Sequence, residues 1–529
     1  MNHKEKFEAS LKLIAKSSII VFIGIVFSKI LSYIYRIAIA RYFGPEIYGL
    51  FSISIVIIAL FTTFFSMGLG DGILRFIPFY RGRNENDKIK YLFQTPLLAL
   101  IVSGIFAGLI LFFTSDFISL NIFHDSKLII LLKIFSFLIP ISIMSGFFLS
   151  VLRAFEKIGW YSFIFNILQN LVKVIVVGIL IFFSFETEAI ITSYFLGITS
   201  IVVFAYLVCR YSLPYLFESY NLSKKAKANI YKELFSYSWP IIFLGVIGII
   251  FYWIDSIFLG YYKGAFSVGL YNAAVPIAVL LSFVPELFIQ LFFPLITREY
   301  SKTNMDVIKE LSKQVGKWIF IINLPVFILI ILFPGAAINI LFGQEYLSAG
   351  NSLRILSIGI FFSSLFLISS QLISMAGKSK LVLFNMVFAS LLNIILNFVF
   401  IPMDNILFIE NSQGINGAAL ATAISMIFLY LLFLFQAKHY LSILPIRRKM
   451  VNILLISIIP TVILVYLRNF VRTNIISILI LSSLFLLVYA LLIIITKSLD
   501  KNDLMIIGSV ISKFYNFKNR IFNQKNPLF

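Results

Sequence analysis

The sequence predicts an all-α polytopic membrane protein of about fourteen transmembrane helices, built as two six-helix lobes in parallel repeat plus two C-terminal helices. Three observations carry that expectation. Of 529 residues, 60% are hydrophobic and only 12% charged, against about 25% charged in a soluble domain. Apolar runs long enough to cross a bilayer recur along the chain, separated by short tracts that alternate between basic and neutral or acidic. A block near the N-terminus returns six spans later.

The apolar runs fall at 17–40, 47–70, 91–114, 128–152, 160–183, 187–209, 235–258, 268–293, 315–334, 353–375, 381–402, 414–436, 451–467 and 474–496. The thirteenth is short and holds Pro460. The N-terminal stretch MNHKEKFEASLKLIAK is basic, but no A-x-A site follows its apolar run, so that run reads as a first span. With the N-terminus in the cytoplasm, the inner segments hold 32 of the 43 Lys and Arg. The outer segments hold five, Arg41, Lys127, Lys263, Arg468 and Arg472. That asymmetry predicts a multi-pass protein of the cell (cytoplasmic) membrane with both termini inside. The expected organisation is a tail (1–16), an N-lobe (17–210), a basic linker (211–234), a C-lobe (235–436), two added spans (437–496) and a basic tail (497–529) on the anionic inner leaflet.

The formal charge of +20 lies in short inter-span tracts rather than in one patch, which argues against a nucleic-acid partner. The only cysteine, Cys209, excludes an intrachain disulfide and a Cys-ligated cluster. The three histidines, His3, His124 and His439, fall in expected loops or tails, which fits neither a haem nor a zinc enzyme. No G-x-x-x-x-G-K-[ST] loop is present, so ATP is not expected as a direct energy source.

YIYRIAIARYFGPEIYGLFSISIVIIAL (33–60) parallels YWIDSIFLGYYKGAFSVGLYNAAVPIAVL (252–279). Each passes from an apolar helix end through an aromatic pair and a glycine-bearing turn, then a GLF or GLY step into a new apolar run. With one inserted residue, Gly49 falls on Gly269 and Arg36 on Asp255. Six intervening spans keep the copies in the same direction, which predicts a two-fold axis along the membrane normal.

Several stretches resemble the polysaccharide-transporter (oligosaccharide flippase) family of the multidrug/oligosaccharidyl-lipid/polysaccharide exporter superfamily. These are RYFGPEIYGLFSI (41–53) and SMGLGDGILRFIPFYRG (66–82), then WIDSIFLGYY (253–262), VGLYNAA (268–274), FPLITREY (293–300) and INGAALATAIS (415–425). The resemblance covers most of the chain to about residue 436. It implies export of a polyprenyl-linked sugar chain from the inner to the outer leaflet. The two added spans resemble those of fourteen-helix lipid II flippases.

Charges inside apolar spans are costly and mark candidate sites. Lys29, Tyr33 and Arg36 share one helical face, as do Asn166, Asn170 and Lys173, Glu286 and Gln290, and Asn393 and Asn397; Asp255 and Lys133 stand alone in their spans. Turned inward, these faces would line one cavity. Lys29, Arg36, Lys173 and Lys133 would hold a diphosphate; the asparagines and Gln290 would be its polar lining. Arg36 could equally snorkel to the headgroups, and the asparagines could be interhelical glue. Asp255 is expected either to pair with a base of span 1 or to act in transport. Asp255 and Glu286 are the groups able to sense H⁺ or Na⁺; otherwise no cofactor is expected. Pro276, Pro285 and Pro294 make span 8 a hinge or a static kink. Asp71 and Arg75, at i, i+4 in a glycine-rich stretch, are expected to pair at the inner end of span 2, either as a gate or as an interface anchor.

The expected activity is thus not enzymatic: alternating access that flips a polyprenyl-diphosphate-linked oligosaccharide, a cell-surface polysaccharide precursor. The expected partners are that substrate, membrane lipids, and a polymerase or glycosyltransferase of the same pathway; one copy suffices for a path. A multidrug/toxin extrusion-type cation antiporter would favour an acidic cavity. A membrane polymerase or ligase would need a large outer loop with a catalytic cluster, and the outer loops here are short.

Overall fold

A computed structural model describes the backbone of residues 3–406, 408–468, 475–496 and 498, and side chains from Ile23 onward except Leu291 and Ile475. The side chains of the expected N-terminal tail, the loop carrying Arg472, and the basic tail apart from Ser498 lie outside the described residues.

The chain folds into α1 (His3–Phe65), α2 (Leu69–Gly82), α3 (Asn86–Phe117), α4 (Lys127–Ser136), α5 (Leu138–Ala154), α6 (Ile158–Ser162), α7 (Gln169–Phe182) and α8 (Thr187–Ser212). There follow α9 (Lys224–Ser301), α10 (Met305–Leu332), α11 (Pro334–Leu341), α12 (Gly350–Met375), α13 (Ser379–Phe400), α14 (Ile415–Leu441), α15 (Arg448–Arg468) and α16 (Ile475–Ile495). A two-residue antiparallel ribbon pairs Asn405 with Glu410 before α14. Among the described residues, eleven helices are long and apolar enough to cross a membrane, or twelve if α4 and α5, bent by 42°, form one broken span.

Two helices are far longer than a bilayer is thick. At about 1.5 Å per residue, the 63 residues of α1 and the 78 of α9 run to about three and four times the roughly 30 Å hydrocarbon core. Each is interrupted once, at a glycine with matching backbone: Gly44 (φ 77°, ψ 175°) and Gly264 (φ 81°, ψ 175°). A side chain would be strained at that φ, which explains glycine at both corners. The expected count of fourteen takes each of these helices as two crossings. The three prolines of the second half of α9 leave helical dihedrals intact, so the backbone breaks at Gly264 and not at Pro285.

The two corners cross. A Cβ on Gly49 would collide with the carbonyl of Ala265, and a Cβ on Gly269 with the carbonyl of Pro45. Position 45 answers to 265 as 49 answers to 269, so the contact is reciprocal. Close backbone approach is what small residues permit between helices in lipid. Around the crossing lies the main buried cluster, which includes Ile39, Tyr48, Ile53, Leu259, Val268 and Tyr271. α15 and α16 sit apart from it. They pack on α10 through Met450, Ile453, Tyr489 and Ile493 against Phe320 and Leu324.

The GLGDGILR stretch folds differently from expectation. α1 stops at Phe65, and Gly68 (φ 62°) turns the chain into α2. Asp71 therefore sits in the first turn of a separate helix, where the positive end of the helix dipole favours a carboxylate.

Candidate functional site

A cavity of about 150 Å³ lies where α1, α7, α8 and α9 meet. Its walls include Arg36, Tyr48, Asn170, Lys173, Tyr194 and Trp253. Lys173 is only 8% exposed. Its ammonium lies 4.3 Å from the Tyr194 ring centroid, and its stem runs along Gly197, where a Cβ would lie 2.7 Å from Lys173 Cε. Among the described residues no carboxylate lies within ion-pair distance of Lys173 or Arg36, and none lines the cavity. Lys173 is thus buried and Arg36 half-buried without a counter-ion, an arrangement that costs several kcal/mol unless an anion offsets it. Asn170 donates to Ser28 Oγ (3.0 Å) across to α1. Asn166 donates to Ser162 Oγ (3.1 Å) from a π-helical turn, Phe163–Leu168, that joins α6 to α7.

A second cluster surrounds Asp255, 3% exposed on α9. Its carboxylate accepts from Tyr271 Oη (2.5 Å), Asn397 Nδ2 (2.7 Å) and Thr422 Oγ1. Asn393 holds the cage from behind, donating to Thr422 Oγ1 (3.2 Å) and accepting from Asn397 (3.0 Å). Asn397 Oδ1 is buried with no partner. One carboxylate amid hydroxyl and amide oxygens suits a proton or a monovalent cation. Among the described residues no group of three His, Cys, Asp or Glu exists that would hold a multivalent metal.

The remaining sequence candidates are placed as follows. Lys29 faces Glu286 across α1 and α9 at 3.8 Å, both about two-fifths exposed, while Tyr33 Oη donates to the Pro276 carbonyl beside them. Gln290 is exposed. Three expectations need correction. Lys133 is not with the other cations: it pairs with Asp116 of α3, 2.9 Å from each carboxylate oxygen. Asp71 and Arg75 are not an ion pair; the Arg75 guanidinium lies 4.2 Å from the Tyr237 ring centroid on α9. Asp255 has no basic partner among the described residues; hydroxyls and amides satisfy it instead.

Residues not singled out in the sequence close the two ends of this region. On the face away from the basic loops, Arg41 donates to the carbonyls of Asn339 (3.2 Å), Ile340 and Leu341 (2.9 Å), capping α11. Beside it, Tyr346 Oη donates to the Ala40 carbonyl (2.9 Å). On the basic face, α2 lies against α9: Gly68 abuts the Ser238 backbone, a Cβ on Gly72 would lie 2.6 Å from Leu234 Cδ1, and Tyr80 Oη donates to Glu233 (3.2 Å). α1 and α2 thus meet the C-terminal half of the chain at both ends. The signals that could have found some of these residues were present: Tyr271 stands in VGLYNAA and Thr422 in INGAALATAIS.

The chain matches the family model described as "Polysaccharide biosynthesis protein" over residues 14–299 and the MatE model over 240–399. A putative O-antigen transporter of Shigella flexneri is 26% identical over 354 residues, 65% of this chain and 80% of that one. The lipid II flippase MurJ of Bacillus subtilis is 23% identical, covering 78% of this chain and 80% of the relative. A solved MurJ structure, described as inward closed, superposes with a TM-score of 0.67 at 20% identity over 90% of this chain and 98% of that one. An inward-facing multidrug transporter of the MATE family follows at 0.65 and 14%, over 78% and 94%. These likenesses fit the helical membrane fold described above, and the first match spans more than half of the sequence: the chain belongs to the polysaccharide biosynthesis protein family.

Proposed function

We propose that this protein flips a polyprenyl-diphosphate-linked oligosaccharide from the inner to the outer leaflet of the cytoplasmic membrane, by alternating access between two six-helix lobes. The observation that carries the reading is the buried Lys173 beside the half-buried Arg36, in a cavity without a carboxylate among the described residues. A diphosphate is the part of such a lipid that would neutralise them. The cavity, about 150 Å³, falls below the roughly 300–1,000 Å³ of ligand sites. With contacts at both ends, this is an occluded form, and the lobes must part to admit a headgroup.

The matching corners at Gly44 and Gly264 and the reciprocal crossing at Gly49 and Gly269 support a parallel repeat, with α1 and α9 counted as two crossings each. The basic loops support both termini inside. The names of the O-antigen transporter and MurJ relatives support the substrate class. Asp255 is the site for a coupling ion, H⁺ or Na⁺. A polymerase or glycosyltransferase of the same pathway would supply or consume the sugar chain.

A MATE-type cation antiporter shares the fold, but its substrate would meet Arg36 and Lys173 with like charge. The deciding experiment is flipping of a fluorescent polyprenyl-diphosphate oligosaccharide in liposomes. Wild type flips it, and Lys173→Ala lowers the rate at least tenfold with folding intact. Uptake of an organic cation without flipping would overturn the proposal.

A further inference from the structure

A cavity of about 1,120 Å³ lies apart from the cationic one. It opens on the face away from the basic loops, between the C-terminus of α10, α11, the start of α12, the 410–416 loop and the ends of α15 and α16. Two arginines stand in it, each fixed by the same helix end. Arg354 donates through Nε to Ile331 O (3.1 Å) and through Nη1 to Asn351 Oδ1 (3.0 Å). Arg468 donates through Nη1 to Leu332 O (2.9 Å) and lies 5.3 Å from the Phe333 ring centroid. An arginine has five donors, so each fork is positioned and still has N–H groups to offer. Asn339 and Gln413 line the same space with no side-chain hydrogen bond among the described residues, and Glu410 adds a carboxylate.

The chemistry of this lining selects among ligands. A polyprenyl tail has no use for two guanidiniums, two amides and a carboxylate. A phosphate would meet arginines already committed in part to carbonyls, with Glu410 opposing it. A sugar carries hydroxyls that both donate and accept, and C–H faces that rest on apolar surface. Fixed guanidiniums, planar amides and one carboxylate, in a lining that also includes Phe333 and Ile415, offer partners for both. The volume exceeds the roughly 1,000 Å³ upper range of small-ligand sites, so several sugar units fit.

We infer that this vestibule is a saccharide-binding site, holding the glycan portion of the substrate on the outer side, separate from the cationic cavity that takes the diphosphate. The origin of the sugar rests on the flippase reading; the site itself does not.

The test is saturation-transfer NMR of the full-length protein in nanodiscs with free maltopentaose and chitopentaose. Wild type gives a signal with at least one of them. Asn339→Trp, which fills the vestibule from an exposed position, lowers that signal at least fivefold. Gln413→Ala lowers it two- to fivefold, and decides the matter if the tryptophan variant fails to fold. Lys173→Ala leaves it at the wild-type level, because it belongs to the other cavity. The inference is overturned if neither sugar gives a signal, if the vestibule variants match wild type, or if equimolar glycerol 3-phosphate displaces the sugar, which would mark an anionic headgroup site. Absence of lipid flipping alongside an intact sugar signal would remove the flippase reading and leave the saccharide site standing.

Discussion

Adding one methyl group at Gly49 tests whether the crossing of α1 and α9 holds shut the face away from the basic loops. In Gly49→Ala the new Cβ would lie 2.7 Å from Ala265 C and 2.8 Å from Gly269 N, and nearer still to Ala265 O. Carbon atoms settle about 3.5–4.0 Å apart, so the helices must separate by about 1 Å. Backbone atoms form the obstacle, and no side-chain rotation relieves it. Overpacking of this kind costs about 1–3 kcal/mol. Set against the state closed on that face alone, that is about a 5–150-fold shift toward opening there. The assay uses the single native thiol to advantage: Cys209 is buried and can be replaced by serine. A cysteine at Ala40, fully buried beside the Tyr346 contact, then reports opening to a membrane-impermeant maleimide. Its labelling in Gly49→Ala is expected to rise at least fivefold over the control Gly178→Ala, where an added Cβ meets nothing within 4 Å. Gly269→Ala should act alike, since its Cβ meets Pro45 in the same way. Labelling equal to the control in folded Gly49→Ala protein would refute the reasoning.

Arg41→Ala removes the cap on the α11 carbonyls; because Arg41 is exposed, about 1 kcal/mol is at stake, and labelling at Ala40→Cys should rise about fivefold. Asp255→Asn leaves one of the donors Tyr271, Thr422 and Asn397 without an acceptor at a cost of about 1–3 kcal/mol. Flipping in liposomes should then lose its response to an imposed H⁺ or Na⁺ gradient at least tenfold, and an unchanged response would move the coupling site elsewhere. Lys173→Met keeps the stem against Gly197 and removes an unpaired buried charge. It should raise Tm while lowering flipping at least tenfold, a divergence that a merely structural lysine would not show.

The apolar runs made the helices legible, and the repeated turn chemistry pointed to both glycine corners. Asn166, Asn170 and Lys173 were legible as one face because a helix fixes that spacing within itself. What the sequence hid was how each helix is rotated against its neighbours. Lys133 could be placed near a helix end, but its partner Asp116 lies on α3, and nothing in the spacing along α4 specifies which side of α3 it meets. Asp71 and Arg75 have ion-pair spacing, yet the break at Ser66–Gly68 moves them onto a separate helix whose face meets Tyr237. Glu286 and Lys29 were each legible as charges in apolar spans; that they face each other depends on the crossing of α1 and α9. Arg41 was counted only as an outer charge, because its role depends on the α11 carbonyls coming to lie beside it.

The two halves share their corner geometry and differ in charge where it matters. Arg36 and Asp255 fall on each other in the sequence alignment with one inserted residue; Arg36 lines the cationic cavity and Asp255 is held in the hydroxyl–amide cluster. The first cluster holds cations without a carboxylate partner among the described residues; the second holds an anion surrounded by hydroxyls and amides. Under the flippase reading the first receives the diphosphate and the second a proton or Na⁺. The link between them is short. Trp253 lines the cationic cavity and Asp255 the other cluster, two residues apart on α9. Any shift of α9 that accompanies filling of the Asp255 cage must therefore move a wall of the diphosphate site. Coupling of this kind needs no long relay, only a rigid helix with a site on each side. Replacing Trp253 with alanine should then weaken the gradient response of flipping more than it weakens flipping itself, and equal loss of both would sever the link.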